Sequence, residues 1–261
     1  MKSPEYDFSP GQRVETLQPD EWAIRQELAA AYRLAHHFGW DELIYNHITV
    51  EVPGRVGQFL INPMGLRYDE VTASNLVKID LDGRILSPTA FRINRAGYVI
   101  HSSIHAARSD ASCVFHTHSR AGIAVAALES GLQPLTQSGM QFYDRVAYHD
   151  YEGFNVNLDE QGRLVNSLGN RQAMILRNHG LVTIGSSIGK AFQRMYFLEQ
   201  ACQTMIDVYS TGHAARIPSS TVVEATAKRW EDGTSDASAN DDLEWRALLR
   251  LADRLYPDYR V

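Results

Sequence analysis

Three histidines carry the most informative spacing in the chain. His116 and His118, separated by Thr117, close the apolar run SCVF, and His179 closes a second apolar run within MILRNHG. Residues two apart on an extended strand point to the same face, so two imidazoles there can reach one ion. Neutral imidazole suits zinc, iron, cobalt and nickel, and three protein ligands with one open position is the arrangement of catalytic zinc. An HxH pair alone is a weak signal, since ten histidines in 261 residues produce such pairs by chance on surfaces and in cores. Both copies standing at strand ends, beside Thr, Ser or Gly, strengthen the metal reading. Gly180, next to His179, suits a tight turn.

Other residues have proton-transfer chemistry. His101 and His105 lie four apart on an expected helix over 98–108 and share a face. His105 is a candidate proton carrier, with packing against a sheet as the ordinary alternative. Tyr143, Asp144, His149, Asp150 and Tyr151 cluster in an aromatic loop; His149 is the second candidate acid or base, with loop packing the plain reading of each. Arg95 can grip an anion bidentately or simply face solvent. Cys113, mid-strand, reads as a buried inert thiol, and Lys78 with Asp80 as a solvated edge pair.

The elements that must hold these residues follow from periodicity. Helical spacing predicts a helix over 20–38, begun at Pro19 and stopped near Gly39. Strand character marks 47–52, 58–61, 76–81 and 84–86, the last pair joined by the Asp82-Gly83 hairpin turn. A strand over 112–116, a helix over 120–129 and an irregular 132–152 come next. Strands over 174–177 and 181–184 flank the RNHG turn, and a long helix covers 187–210. Residues 213–241 lose the pattern and read as mobile. An amphipathic helix over 242–255 presents Leu243, Leu248, Leu251 and Leu255 to the core or to a neighbouring subunit. Residues 1–18 read as an extended arm, 19–215 as one domain, and 216–261 as a flexible segment with a C-terminal helix.

Composition narrows the function class. Hydrophobic residues make up 44% and charged residues 21%, an ordinary globular balance. A net charge of -6 without any basic run argues against nucleic acid or anionic lipid as partners. No apolar run suits a membrane span or a signal peptide, and two cysteines make no disulfide framework, which favours a cytoplasmic setting.

Four separated blocks, LAAAYRLAHHFGWDELIYNHITV, FLINPMGLRYDEVTASNLVKID, HSSIHAARSDASCVFHTHS and MILRNHGLVTIG, resemble the class II aldolase/adducin family in this order and spacing. The resemblance implies an α/β fold: a three-layer α/β/α domain with a central, mainly antiparallel sheet. It further implies a homotetramer and one divalent ion per chain, zinc first, with iron, manganese or cobalt as alternatives. By the resemblance His116, His118 and His179 bind that ion, while Asn46 in YNHIT and Gly65 in NPMG match substrate-binding phosphate-loop positions. One position departs. The family's aldolases carry a carboxylate nineteen residues before the first His of the pair; here that position is Gly97, preceded by Arg95 and Ala96 in place of two serines. A glycine moves no proton. Placing Glu at 97 would either restore aldol activity or clash.

The adducins share a glycine at this place but not the full histidine triad, and this chain lacks their long neck and basic tail, so actin or spectrin is not the expected partner. The expected function is a metal-dependent lyase acting on a small anionic hydroxy-carbonyl compound through a metal-stabilised enediolate, with Arg95 as a third substrate-binding residue. The alternatives are a β-keto acid decarboxylase or iron-dependent oxygenase on the same scaffold, or a non-catalytic adducin-head-like oligomerisation module.

Overall fold

The computed structural model describes residues 17–153, 158–235 and 243–261. Apart from its last two residues, the expected N-terminal arm lies outside them. Helix α1 (Pro19–His37) starts on Pro19, whose missing N–H costs nothing in the first turn. It ends where Gly39, at φ +71, turns its N–H back to the His36 carbonyl. Seven strands follow: β1 (His47–Glu51), β2 (Gln58–Ile61), β3 (Val77–Asp80), β4 (Cys113–Thr117), β5 (Val146–His149), β6 (Ala173–Leu176) and β7 (Gly180–Gly185). They form one sheet in the order β3-β2-β1-β4-β7-β6-β5. All neighbours are antiparallel except β5 and β6.

Both faces are covered, which makes the three layers. On β4 the alternation is clean: Cys113 and Phe115 enter the larger core with α1 and α5 (Ile188–Ser210), while Val114 faces the opposite layer. That second layer is α2 (Arg95–Ala107) and α4 (Leu158–Leu168), represented by Ile104, Leu164 and Leu168. The short α3 (Arg120–Ala126) begins on Ser119, whose hydroxyl accepts from the Gly122 N–H at 3.0 Å. A strand buried on both faces reads as an unbroken apolar run, which is why SCVF and MIL stand out in the sequence.

Four expectations change. Of the stretch 213–241, residues 236–241 lie outside the described residues, and the rest does not simply lose structure: α6 (Ser220–Ser235) runs through it, with Val223 and Ala227 buried and the Trp230 ring 5.2 Å from Phe197. Only that thin stripe is apolar among Ser, Thr, Ala and Glu, so composition masked it. The irregular 132–152 contains β5, an edge strand with a single neighbour. Lys78 and Asp80 are not a pair: Lys78 Nζ meets Glu21 Oε2 at 2.9 Å, and Glu21 also holds the buried Arg25. Helix α4 falls in a stretch to which the sequence reading assigned no element. The 82–83 turn stands as expected, with Gly83 at φ +72, although 84–86 contributes only an isolated bridge, Ile85 to Ile79. Among the described residues no helix is long and apolar enough to cross a membrane.

Helix α7 (Leu243–Leu255) docks on its own chain. Trp245 packs 5.5 Å from Phe192, and a Cβ on Gly189 would lie 2.8 Å from its ring. Leu243 and Leu255 stay exposed. Trp245→Ala empties this cradle and is expected to destabilise the fold by about 3–5 kcal/mol, measured by denaturant unfolding; a loss below ~1 kcal/mol would mean that α7 is not anchored there.

Candidate metal centre and cavity

The strand alternation decides what each residue of His116-Thr117-His118-Ser119 can do. His116 lies on the α2 face of the sheet, whereas Thr117 and Ser119 point the other way, toward α5. There Glu199, fully buried, accepts from Thr117 Oγ1 at 2.8 Å and from Ser119 Oγ at 2.5 Å. One carboxylate thus pins the segment from below. Burial raises the Glu199 carboxyl to about 7, partly offset by those two hydrogen bonds.

On the α2 face the ring nitrogens of His116, His118 and His179 all come within 4.8 Å of one another. The tautomers of two are fixed from behind. His116 Nδ1 lies 2.9 Å from the Leu181 carbonyl, which only accepts, so Nδ1 carries the proton and Nε2 a lone pair. His118 Nδ1 lies 2.6 Å from the Glu42 carboxylate, which likewise holds a proton on that nitrogen. The two Nε2 atoms face each other at 2.9 Å. With both rings neutral, such a set can hold a cation, with a carbonyl and a carboxylate as orienting partners. Burial, followed by the neighbouring histidines, depresses His116 well below the usual imidazole range; burial and His118 lower His179 to about 4. Neutral imidazoles are the form that ligates, so the residues fit a divalent ion.

His179 is delivered by the β6–β7 turn. Its N–H donates to the Leu176 carbonyl, and Asn178, not Gly180, takes the left-handed conformation at φ +55. Gly180 is needed for another reason than the expected one: a Cβ there would sit 2.2 Å from the Thr117 carbonyl oxygen. Glycine lets β7 close on β4 and brings the third imidazole to the first two.

These histidines open onto a cavity of about 590 Å³. Asn46, Asn94, Gly97, His149, Asp150 and Tyr151 are among its walls. Asn46 sits at φ +72; in its better amide orientation it accepts from the His118 N–H at 2.6 Å and donates to the Tyr45 carbonyl at 3.0 Å. It therefore ties β1 to the histidine segment. His149 Nδ1 meets Ser167 Oγ at 3.0 Å, and its Nε2 lies 3.7 Å from Glu160. The Tyr151 ring stands 6.4 Å from His179.

Other candidates lie elsewhere. His105 has both nitrogens engaged, with the Ala111 carbonyl at 2.8 Å and Thr49 Oγ1 at 2.7 Å, and does not line the cavity. Arg95 is exposed and reaches the Asp82 carbonyl, and Gly65, at φ +101, shapes the loop behind Met64 without lining the cavity. Asp144 borders a separate hollow near Arg145 and Glu231. Cys113 is buried, as expected.

Two residues escaped the sequence reading. Glu199 is the one carboxylate on the apolar face of α5, between Met195 and Cys202, and a charge on such a stripe is a visible signal. His47 stands directly opposite His116 in the β1–β4 register. It is 3% exposed and lines the cavity, and neither of its ring nitrogens has a partner. Nothing in YNHIT announced this, because register across strands is not written in either strand alone.

Residues 26–206 match the family model described as the Class II Aldolase and Adducin N-terminal domain. The chain is similar to an aldolase II superfamily protein from Pseudomonas syringae, with 47% identity, a TM-score of 0.88 and coverage of 94% of this chain and 98% of that one. It is also similar to L-fuculose 1-phosphate aldolase from Glaciozyma antarctica, at 26% identity and TM-score 0.79 over 95% and 97% of the two chains. Alpha-adducin of Mus musculus is 40% identical over 90% of this chain but only 34% of its own length.

Two outcomes are expected. The double substitution His116→Ala, His179→Ala abolishes binding of a divalent ion, read by elemental analysis; full occupancy in that variant would sink the assignment. Glu199, with its folded pKa raised from 4.5 to about 7, keeps its proton between those values while the unfolded chain loses it. Stability is therefore lost as pH rises through this window, by about 3 kcal/mol. Glu199→Gln should flatten that slope in denaturant unfolding between pH 5 and 8.

Proposed function

Since the chain belongs to the class II aldolase/adducin family, we propose that it is a metal-dependent carbon–carbon lyase acting on a small hydroxy-carbonyl compound. The observation that carries this reading is the pair of facing Nε2 atoms, each ring oriented through its Nδ1, with His179 as third donor, opening onto a cavity. A bound divalent ion, zinc first and iron, manganese or cobalt as alternatives, would supply Lewis-acid polarisation of a carbonyl oxygen. Glu42 and the Leu181 carbonyl orient the two imidazoles for that task. His149, Asp150 and Tyr151 line the wall as candidates for proton transfer; His149 is oriented by Ser167, and Tyr151 stands beside His179.

The cavity also bears on the substrate. Arg177 is the one Lys or Arg among its described lining residues, and its guanidinium is spent on the Leu128 carbonyl at 2.8 Å and on the face of Tyr148 at 4.4 Å. Glu42, Asp150 and Glu160 line the same space. A phosphate dianion finds no free cationic side chain there, and Arg95 does not supply one. The substrate's negative charge, if it carries any, is met by the ion. A second reading, decarboxylation of a β-keto acid, is favoured by Gly97: loss of carbon dioxide requires no base at that position. A non-catalytic module is supported by the likeness to alpha-adducin, and the cavity beside the triad, with His149, Asp150 and Tyr151 in its wall, speaks for the enzyme.

We also infer that copies assemble, as the family resemblance implies, most simply as a tetramer. Leu43, Tyr45 and Met64 are exposed apolar residues that line the cavity. Light scattering at micromolar concentration is expected to give a tetramer's mass, and a monomer would exclude it. The zinc-loaded protein should turn over a small hydroxy-carbonyl or β-keto acid and lose that activity to a chelator. It should cleave L-fuculose 1-phosphate at least ~10²-fold more slowly than an ordinary aldolase, the lower bound of what a missing general base costs. Ordinary aldolase rates on the phosphate would refute this reading, and full metal occupancy with no turnover across the substrate panel would favour the binding module.

A further inference from the structure

Gly97 removes the carboxylate expected from the resemblance, and the space it leaves is taken. A Cβ built on Gly97 would lie 2.1 Å from His47 Cε1 and 2.8 Å from Nδ1. The imidazole of His47, from β1, rests against the first turn of α2. Position 97 is thus glycine because His47 is there, and Gly97→Glu cannot simply restore an acid.

A definite chain of hydrogen bonds runs beside His47 without including it. The Ala111 carbonyl only accepts, so His105 Nδ1 donates to it, and neutral His105 Nε2 is an acceptor. Burial lowers His105 to about 4, which keeps it neutral. Thr49 Oγ1 must then donate to His105 at 2.7 Å and accept from His101 Nδ1 at 2.8 Å. His101 Nε2 is left as a lone pair without a partner, and its ring stands edge-on to His47 at 5.7 Å. His47 itself is fully wrapped by protein yet has both nitrogens free and lines the cavity next to Gly97 and His116. A buried polar group with no partner costs stability unless something arrives to satisfy it.

We propose that His47 is a substrate-contacting residue of the α2 wall, one of whose ring nitrogens makes a hydrogen bond to a hydroxyl of a compound held at the triad. This rests on the metal-dependent reading above and deepens it. A hydroxyl can accept from a ring N–H or donate to a ring lone pair, so it suits whichever nitrogen faces it, and a neutral ring offers no charge to a phosphate. The substrate class is a hydroxy-carbonyl compound with its hydroxyl toward α2.

The test uses zinc-loaded protein and glycolohydroxamate, a small probe with adjacent chelating oxygens and a free hydroxyl. Zinc content is read by elemental analysis and probe affinity by calorimetry for the wild type, His47→Gln and His47→Leu. All three are expected to hold zinc; His47→Leu should bind the probe about tenfold more weakly, and His47→Gln, which keeps a donor and an acceptor, within about threefold of the wild type. Equal affinity with Leu at 47 and full zinc would overturn the proposal and leave the metal reading intact. Wild-type protein that takes up no zinc would overturn both. A metal-free arm checks the juxtaposition. Gly97→Ala should lower the unfolding midpoint in the wild type, yet leave it unchanged or raised in His47→Ala, because alanine favours a helix once the ring is gone. The same shift in both backgrounds would show that His47 does not occupy that space, and would overturn the proposal.

Discussion

Two imidazole Nε2 atoms stand 2.9 Å apart, and much of the chain is arranged to keep them there. The Leu181 carbonyl and the Glu42 carboxylate each remove one tautomeric freedom, so neither ring can escape by moving its proton. The strand carrying His116 is fixed by β1 on one side and β7 on the other, with every residue of β4 buried. Glu199 takes the two intervening hydroxyls from beneath. A donor set of this kind needs a rigid frame, since a ring displaced by an ångström no longer shares its ion.

Close backbone approach is the second constraint. Gly180 lets β7 meet β4 at the Thr117 carbonyl, and Gly97 lets α2 lie on the His47 ring. Neither has a left-handed backbone, so neither is a turn glycine. Each is a place where a methyl group would push apart two elements that must touch. The cavity owes its shape to both: one brings His179 to the pair, the other presents an imidazole where a carboxylate would otherwise stand.

Stability and function meet at the buried polar groups. Glu199 is held in the core at the cost of a raised pKa, in exchange for a fixed histidine segment. Arg25, with Glu21 and the Ala73 and Leu76 carbonyls, anchors the far side, where the C-terminal residues also return: Tyr259 is buried and its carbonyl accepts from the Ala73 N–H. His47 differs from these, being buried with neither ring nitrogen paired and standing in the cavity wall.

The sequence by itself determined the elements whose signal is local. Apolar runs gave β4, β6 and β7, because strands buried on both faces cannot alternate; Pro19 and Gly39 bounded α1; Asp82-Gly83 marked its turn. The triad was legible because its three members end such runs. Tertiary structure alone decided whatever depends on distance across strands and layers. That Arg95 turns away from the cavity, that His105 is consumed by Thr49 and Ala111, and that α6 exists on a stripe of Val223, Ala227 and Trp230 are consequences of packing that no window of sequence contains. His47 is the clearest instance: its neighbour in the chain is Asn46, but its chemistry comes from His116 one strand away and Gly97 one layer above, and register and layer contact exist only once the chain has folded.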